Sequence, residues 1–267
     1  MVAKRVFKNQ PVALDLTDAG ITYAAVAARE PGRAFSAGLW FSIPTGETIE
    51  DNDTLLSSDI TANADTDAWY IRLNVSGPSI LARATIKDSA VITTKTQSTA
   101  TILADGVWHF VGFVYDGAIS TAASRLNLIV NGVAVSQTAG GTISDLGASN
   151  SIPGGVSVGS TQDDQNKAPI LFGGGFVVNK ALTTAQMFSA MRILKRPDRD
   201  LAKRALFHGG DLSWLVVGSA PFKAPRRAGA EYAYDELFKD LVHGTAPAAA
   251  SGTPPVVFTN GYYLRNV

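Results

Sequence analysis

The residues of this chain that could do chemistry are its carboxylates, three histidines and a few aromatic side chains. Glycoside cleavage needs two carboxylates about 5–9 Å apart, one acting as acid and the other as nucleophile or base. Alternate residues of a strand share a face, so such a pair would sit two apart within a strand-like run. The glutamates, Glu30, Glu47, Glu50, Glu231 and Glu236, show no such arrangement. The closest carboxylate pairs are Asp51/Asp53, Asp65/Asp67, Asp163/Asp164 and Asp198/Asp200. Each lies in a loop or at a helix start, where aspartates form turns and caps. His109, His208 and His243 are too scattered for a metal motif such as H-E-x-x-H. The absence of cysteine excludes disulfides, thiolate metal sites and cysteine nucleophiles. Phe172-Gly-Gly-Gly175 lacks the lysine and hydroxyl residue of a phosphate loop and reads as a strand packed close to its neighbours. Trp69, Tyr70 and Trp40 remain as candidates for an aromatic platform under a sugar, with burial in the core as the competing reading. The sequence predicts a protein that is not an enzyme.

The elements that must position these residues are strands. From Gly106 to Tyr115 the chain reads GVWHFVGFVY: Trp108, Phe110, Gly112 and Val114 fall on one side, and His109, Val111, Phe113 and Tyr115 on the other. Both sets are largely apolar, which predicts a central strand covered on both faces. Leu126 to Val135 answers it and breaks at Asn131-Gly132, a strong hairpin signal. Further short strands are expected at Phe35–Phe41, Thr54–Ile60, Ala68–Val75, Ser79–Ile86, Ala90–Thr94, 155–159 and Phe172–Val178. Thr183-x-x-Gln186 fits a capping box opening a short helix, with Met187, Met191 and Leu194 on one side. A second helix is expected over 198–207, then a strand-like run at Leu212–Val217 containing Trp214. Thr245 to Pro255 reads as an Ala/Pro linker of polyproline character, and Val256 to Leu264 as a last strand.

The run Trp108-His109-x-Val111-x-x-x-Tyr115-Asp116-Gly117, followed by Leu126-x-x-x-Val130-Asn131-Gly132, resembles the laminin-G-like, concanavalin A-like lectin/glucanase superfamily. The resemblance extends to Phe35–Phe41, Val156–Ser160 and Phe172–Met187, and covers about residues 34–195. It implies an all-β fold: a two-sheet antiparallel jelly-roll sandwich over 34–195. An N-terminal arm (1–33) would precede it. A mixed C-terminal extension (196–267) with short helices, linker and terminal strand would follow. The glucanases of this superfamily carry E-x-D-x-E on one strand, and no such pattern occurs here. Relatives hold an ion at the rim, which makes calcium the candidate cofactor and Asp163, Asp164 and Asn166 its oxygen ligands. Secreted animal laminin-G domains often carry a disulfide, so a chain without cysteine points to a bacterial or viral relative. This superfold hosts lectins, enzymes, adhesion modules and structural shells, so the likeness constrains fold more than function.

A formal net charge of +0 gives no electrostatic reason to expect nucleic acid or an anionic membrane as partner. No apolar run approaches the ~18 residues of a membrane span, and the basic N-terminal residues are not followed by the apolar stretch of a secretion signal. Together with the terminal extensions, these features favour a non-catalytic structural protein of a viral, bacteriophage particle: a capsid decoration, head-fibre or tail-associated protein. It would be made in the host cytoplasm without a signal peptide and reside in the virion. Its partners would be protein neighbours in a homo- or hetero-oligomer, reached through Phe7, Phe222, Arg226, Arg227, Phe258, Tyr262 and Tyr263, with host surface glycans as further partners. The alternative is a carbohydrate-binding or adhesion module, for which Trp69 and Tyr70 are the ligand-binding candidates. A glycoside hydrolase ranks below both.

Overall fold

The computed structural model describes residues 9–11, 13–17, 20–23, 32–58, 67–88, 91–97, 103, 105–143, 145–146, 152, 154–161, 166–194, 212–217, 219–221, 248–249 and 256–258. The helix expected over 198–207 lies outside them. Three short strands come first: β1 (Asn9–Pro11), β2 (Ala13–Asp15) and β3 (Ile21–Tyr23). The central strands are β4 (Ala34–Ser42), β5 (Thr54–Ser57), β6 (Ala68–Ser76), β7 (Ser79–Asp88), β8 (Val91–Gln97) and β9 (Trp108–Asp116). Then follow β10 (Leu126–Val130), β11 (Val133–Ala134), β12 (Gln137–Gly140), β13 (Val156–Val158), β14 (Leu171–Val178) and helix α1 (Thr184–Leu194). Last come β15 (Leu212–Val217), β16 (Ser219–Pro221), β17 (Ala248–Ala249) and β18 (Val256–Phe258).

These strands build two eight-stranded antiparallel sheets, with β1 and β16 as a separate pair. The first sheet runs β11-β10-β9-β4-β14-β2-β18, and β15 lies along β14 beyond β2. The second runs β12-β8-β7-β6-β5-β13-β3-β17. The fold is a two-sheet jelly-roll sandwich, as the strand pattern predicted. Strands before residue 34 belong to both sheets, through β2 and β3. The C-terminal strands close on them: β18 pairs β2, and β17, from within the stretch expected to be a linker, pairs β3.

Strand β9 shows why both faces had to be apolar. Val111, Phe113 and Tyr115 enter the core between the sheets, where Phe35 meets Phe113 edge-on at 5.4 Å. Trp108 and Phe110 enter a second cluster on the opposite face, with Trp40, Phe176 and Leu215. Helix α1 covers that cluster with Met187, Met191 and Leu194, the helix-spaced set that the sequence placed on one side, together with Ala190. Gly112 permits this close seat, because a Cβ there would lie 2.7 Å from the Met187 methyl and 2.7 Å from the Ala37 carbonyl. The helix start is the expected capping box: Gln186 N–H donates to Thr183 Oγ1 at 3.2 Å, and Thr183 N–H donates to Gln186 Oε1 at 2.9 Å. The β10–β11 turn is Asn131-Gly132 with φ of 51° and 80°, the left-handed pair that a two-residue hairpin requires. The glycine run of β14 is a packing device, as expected: a Cβ on Gly173 or Gly175 would come within 3.0 Å of the Trp108 or Trp214 ring.

Candidate functional site

Side chains of a strand alternate, so the two sheets each have one face in the central core. For the first sheet the other face is sealed by α1. For the second it is polar, and the described residues carry no comparable apolar layer over it. Trp69, Ile71 and Leu73 of β6 point into the core, which sends Tyr70, Arg72 and Asn74 outward. Directly opposite residues of paired strands share a face, and the register therefore aligns one outward row across five strands: Thr54, Arg72, Arg83, Thr96 and Thr138. The neighbouring row is Thr22, Ser157, Ser57, Tyr70, Thr85 and Thr94. The face is closed at its β13–β5 end, where Ser157, Ser57 and Thr54 are buried, and opens toward β8 and β12, where Thr94 and Thr96 are half-buried and Thr138 is exposed.

Two arginines stand side by side in this row. The Arg72 guanidinium carbon lies 3.8 Å above the centre of the Tyr70 ring, and its Nε donates to Thr54 Oγ1 at 3.3 Å. Arg83 Nε donates to Thr96 Oγ1 at 3.2 Å, and one of its terminal nitrogens donates to Asn52 Oδ1 at 2.7 Å. The Asp51 carboxylate lies 3.6 Å from Arg83 and is half open to solvent. Arg72 is thus oriented by a ring face and a hydroxyl oxygen, among other contacts, and Arg83 by hydroxyl and amide oxygens, with neighbouring strands only about 4.8 Å apart.

The sequence candidates divide cleanly here. Trp69 is 1% exposed and packs against Phe35 and Phe113 in the core, so its ring lies on the wrong side of β6 for a platform. Trp40 is buried beneath α1, its indole N–H donating to the Met191 carbonyl at 2.8 Å. Tyr70 is on the outer face, 2% exposed and capped by Arg72, so the surface it offers is a guanidinium stacked on a ring rather than a bare ring. His109 is buried beside Phe41 and Asn131. Asp163, Asp164, Phe7, Phe222, Arg226, Arg227, Tyr262 and Tyr263 lie outside the described residues, and Phe258 is described only as the last residue of β18. Asn166, the remaining calcium candidate, has φ of 48° and gives its carbonyl to Thr54 N–H at 2.8 Å. Among the described residues no group of three or more His, Cys, Asp or Glu is placed to hold a metal ion.

The carboxylates at the edge of the face behave as turn formers. Asp51 Oδ1 accepts from Val75 N–H at 3.2 Å, and Asp53 Oδ2 accepts from Glu50 N–H at 2.8 Å. Burial pushes the Asp53 carboxyl up to about 6, with Glu50 and Asp51 adding repulsion and the Glu50 hydrogen bond opposing it. Gly155-Val-Ser-Val-Gly159 matches the pattern G-x-S-x-G. It is no nucleophile elbow, because Ser157 sits in the middle of β13, paired on both sides, rather than at a strand-to-helix turn. The arginine row was missed, since its five members come from five separate strands and only the register unites them.

No family model matches the sequence, and no curated protein matches it. Among solved structures, the chain is similar to a Bacteroides ovatus protein of proposed carbohydrate-binding function, with a TM-score of 0.58 at 12% identity. That match covers 94% of this chain and 60% of the longer protein. A heptameric pentraxin from Limulus polyphemus matches with a TM-score of 0.49 at 17% identity, over 68% of this chain and 82% of its own. Domains LG4-5 of the mouse laminin α1 chain match at 0.46 and 11% identity, over 69% of this chain and 47% of theirs. The first likeness agrees with the strand topology: the chain has a lectin-like jelly-roll fold.

Proposed function

We propose that the chain is a non-catalytic carbohydrate-binding module that receives its ligand on the outer face of the second sheet, over β6, β7 and β8. The observation that carries this reading is the ordered row of hydroxyls and guanidiniums, all hydrogen-bond donors directed away from the core and preorganised by their own neighbours. Polyhydroxyl ligands are recognised by such convergent polar groups on a rigid sheet. The carbohydrate-binding function proposed for the Bacteroides ovatus protein of like fold supports it. The bacteriophage-particle reading draws no support from the comparisons. The described C-terminal strands, moreover, pair with β2 and β3 of the same chain rather than being left for a neighbour.

A glycan array probed with the full chain tests the proposal, repeated with Thr94→Trp, which sets an indole on the open half of the face. Binding to one or more glycans is expected, weakened about tenfold or more by the substitution at an unchanged unfolding midpoint. No glycan bound by the folded chain, or full binding by Thr94→Trp, would overturn it.

A further inference from the structure

Arg72 and Arg83 are directly opposite one another in register, a placement in which like charges repel. A surface needing only hydrogen-bond donors for neutral sugar hydroxyls could use threonine or serine there, as the rest of both rows does apart from Tyr70. Two guanidiniums at adjacent positions supply something different: parallel forks that accept an anionic group bidentately. Each fork is aimed before any ligand arrives, Arg72 by its Tyr70 stack and Thr54, Arg83 by Thr96 and Asn52. Asp51 meets Arg83 at 3.6 Å from the solvent side, where an incoming anion could displace it. Both arginines are half-buried, which strengthens their attraction for an anion relative to a fully solvated pair.

We infer that the ligand of this face is an acidic saccharide, its carboxylate or sulfate seated between Arg72 and Arg83 and its hydroxyls on Thr94, Thr96 and Thr138. The inference rests on the carbohydrate-binding reading above and specifies its ligand class. The pair is a feature retained at the expense of repulsion, so replacing Arg83 lowers affinity while leaving the unliganded fold as stable as before, or more so.

The test is calorimetric titration of the full chain with three probes: a galacturonate trisaccharide, a sulfated heparin-type tetrasaccharide and neutral galactotriose. Each is titrated into wild type, Arg83→Gln, Arg72→Gln and Arg72→Lys at low and high salt. The expected result is binding of an acidic probe that weakens about tenfold or more in each glutamine variant and falls with salt. Arg72→Lys is expected to be intermediate, because it keeps the charge and loses the fork. Which acidic probe binds separates carboxylate from sulfate recognition. Arg83→Gln covers the case in which Arg72 variants fail to fold, since Arg83 does not carry the stack on Tyr70. Binding of galactotriose as tight as that of the acidic probes, unaffected by Arg83→Gln, overturns the inference and leaves the carbohydrate reading standing. Binding of no saccharide, here and on the array, overturns both.

Discussion

Single residues decide the chemistry of this molecule through parity. Trp69 and Tyr70 are neighbours with similar side chains, yet one closes the core and the other faces out, because a strand inverts direction at every step. Asp53 is the described residue whose ionisation bears most on stability. Its folded pKa of about 6 lies above its ordinary value of 3.8, so the folded chain holds this proton more tightly than the unfolded chain does. The sign follows: stability from this group is fullest below pH 3.8, declines as pH rises toward 6 and stays lost above it. Asp53→Asn keeps an oxygen for the Glu50 N–H and removes the charge. It is expected to raise stability at pH 7.5 by about 1–3 kcal/mol, the upper bound being a shift of about two units at 1.36 kcal/mol each, and to change little at pH 4. Urea midpoints at the two pH values measure this, and a variant destabilised at pH 7.5 would refute it.

At the scale of elements, α1 is the one described α-helix, and its position over Trp40, Trp108 and Phe110 makes its start a point of leverage. Thr183→Ala removes the hydroxyl that Gln186 N–H uses and is expected to cost about 1 kcal/mol. The loss is read as a lower urea midpoint at constant slope. Such elements were legible because their signals are local: the capping box spans four residues, and the Asn131-Gly132 turn two. Strand β9 was equally plain, since apolar residues at both parities leave no solvent face. The outward polar row of the second sheet was illegible for the opposite reason. Thr54, Arg72, Arg83, Thr96 and Thr138 lie on one line only after four registers are set, including a bulge between Thr54 and Leu56 that changes which residue of β5 faces out. The tryptophans misled because large aromatic side chains serve cores and sugar platforms alike, and composition does not separate the two.

Across the whole molecule, the sandwich is closed by strands from both ends of the chain. β2 and β3 complete the two sheets, and β18 and β17 pair with them in turn. A chain ending after residue 244 leaves those edges open and is expected to show a lower urea midpoint and concentration-dependent association. An unchanged midpoint with a monomeric product would show that the last strands contribute nothing to closure.

The layered asymmetry carries a consequence for descent. Helix and core take both faces of one sheet and the inner face of the other, so nearly every substitution there meets a packed neighbour. Positions 72, 83, 96 and 138 belong to neither apolar cluster. Substitution at positions 83, 96 and 138 changes the polar row of the outer face while both apolar clusters stay as they are. Specificity in such a lineage evolves on a stripe of a few side chains, decoupled from the pressure to fold.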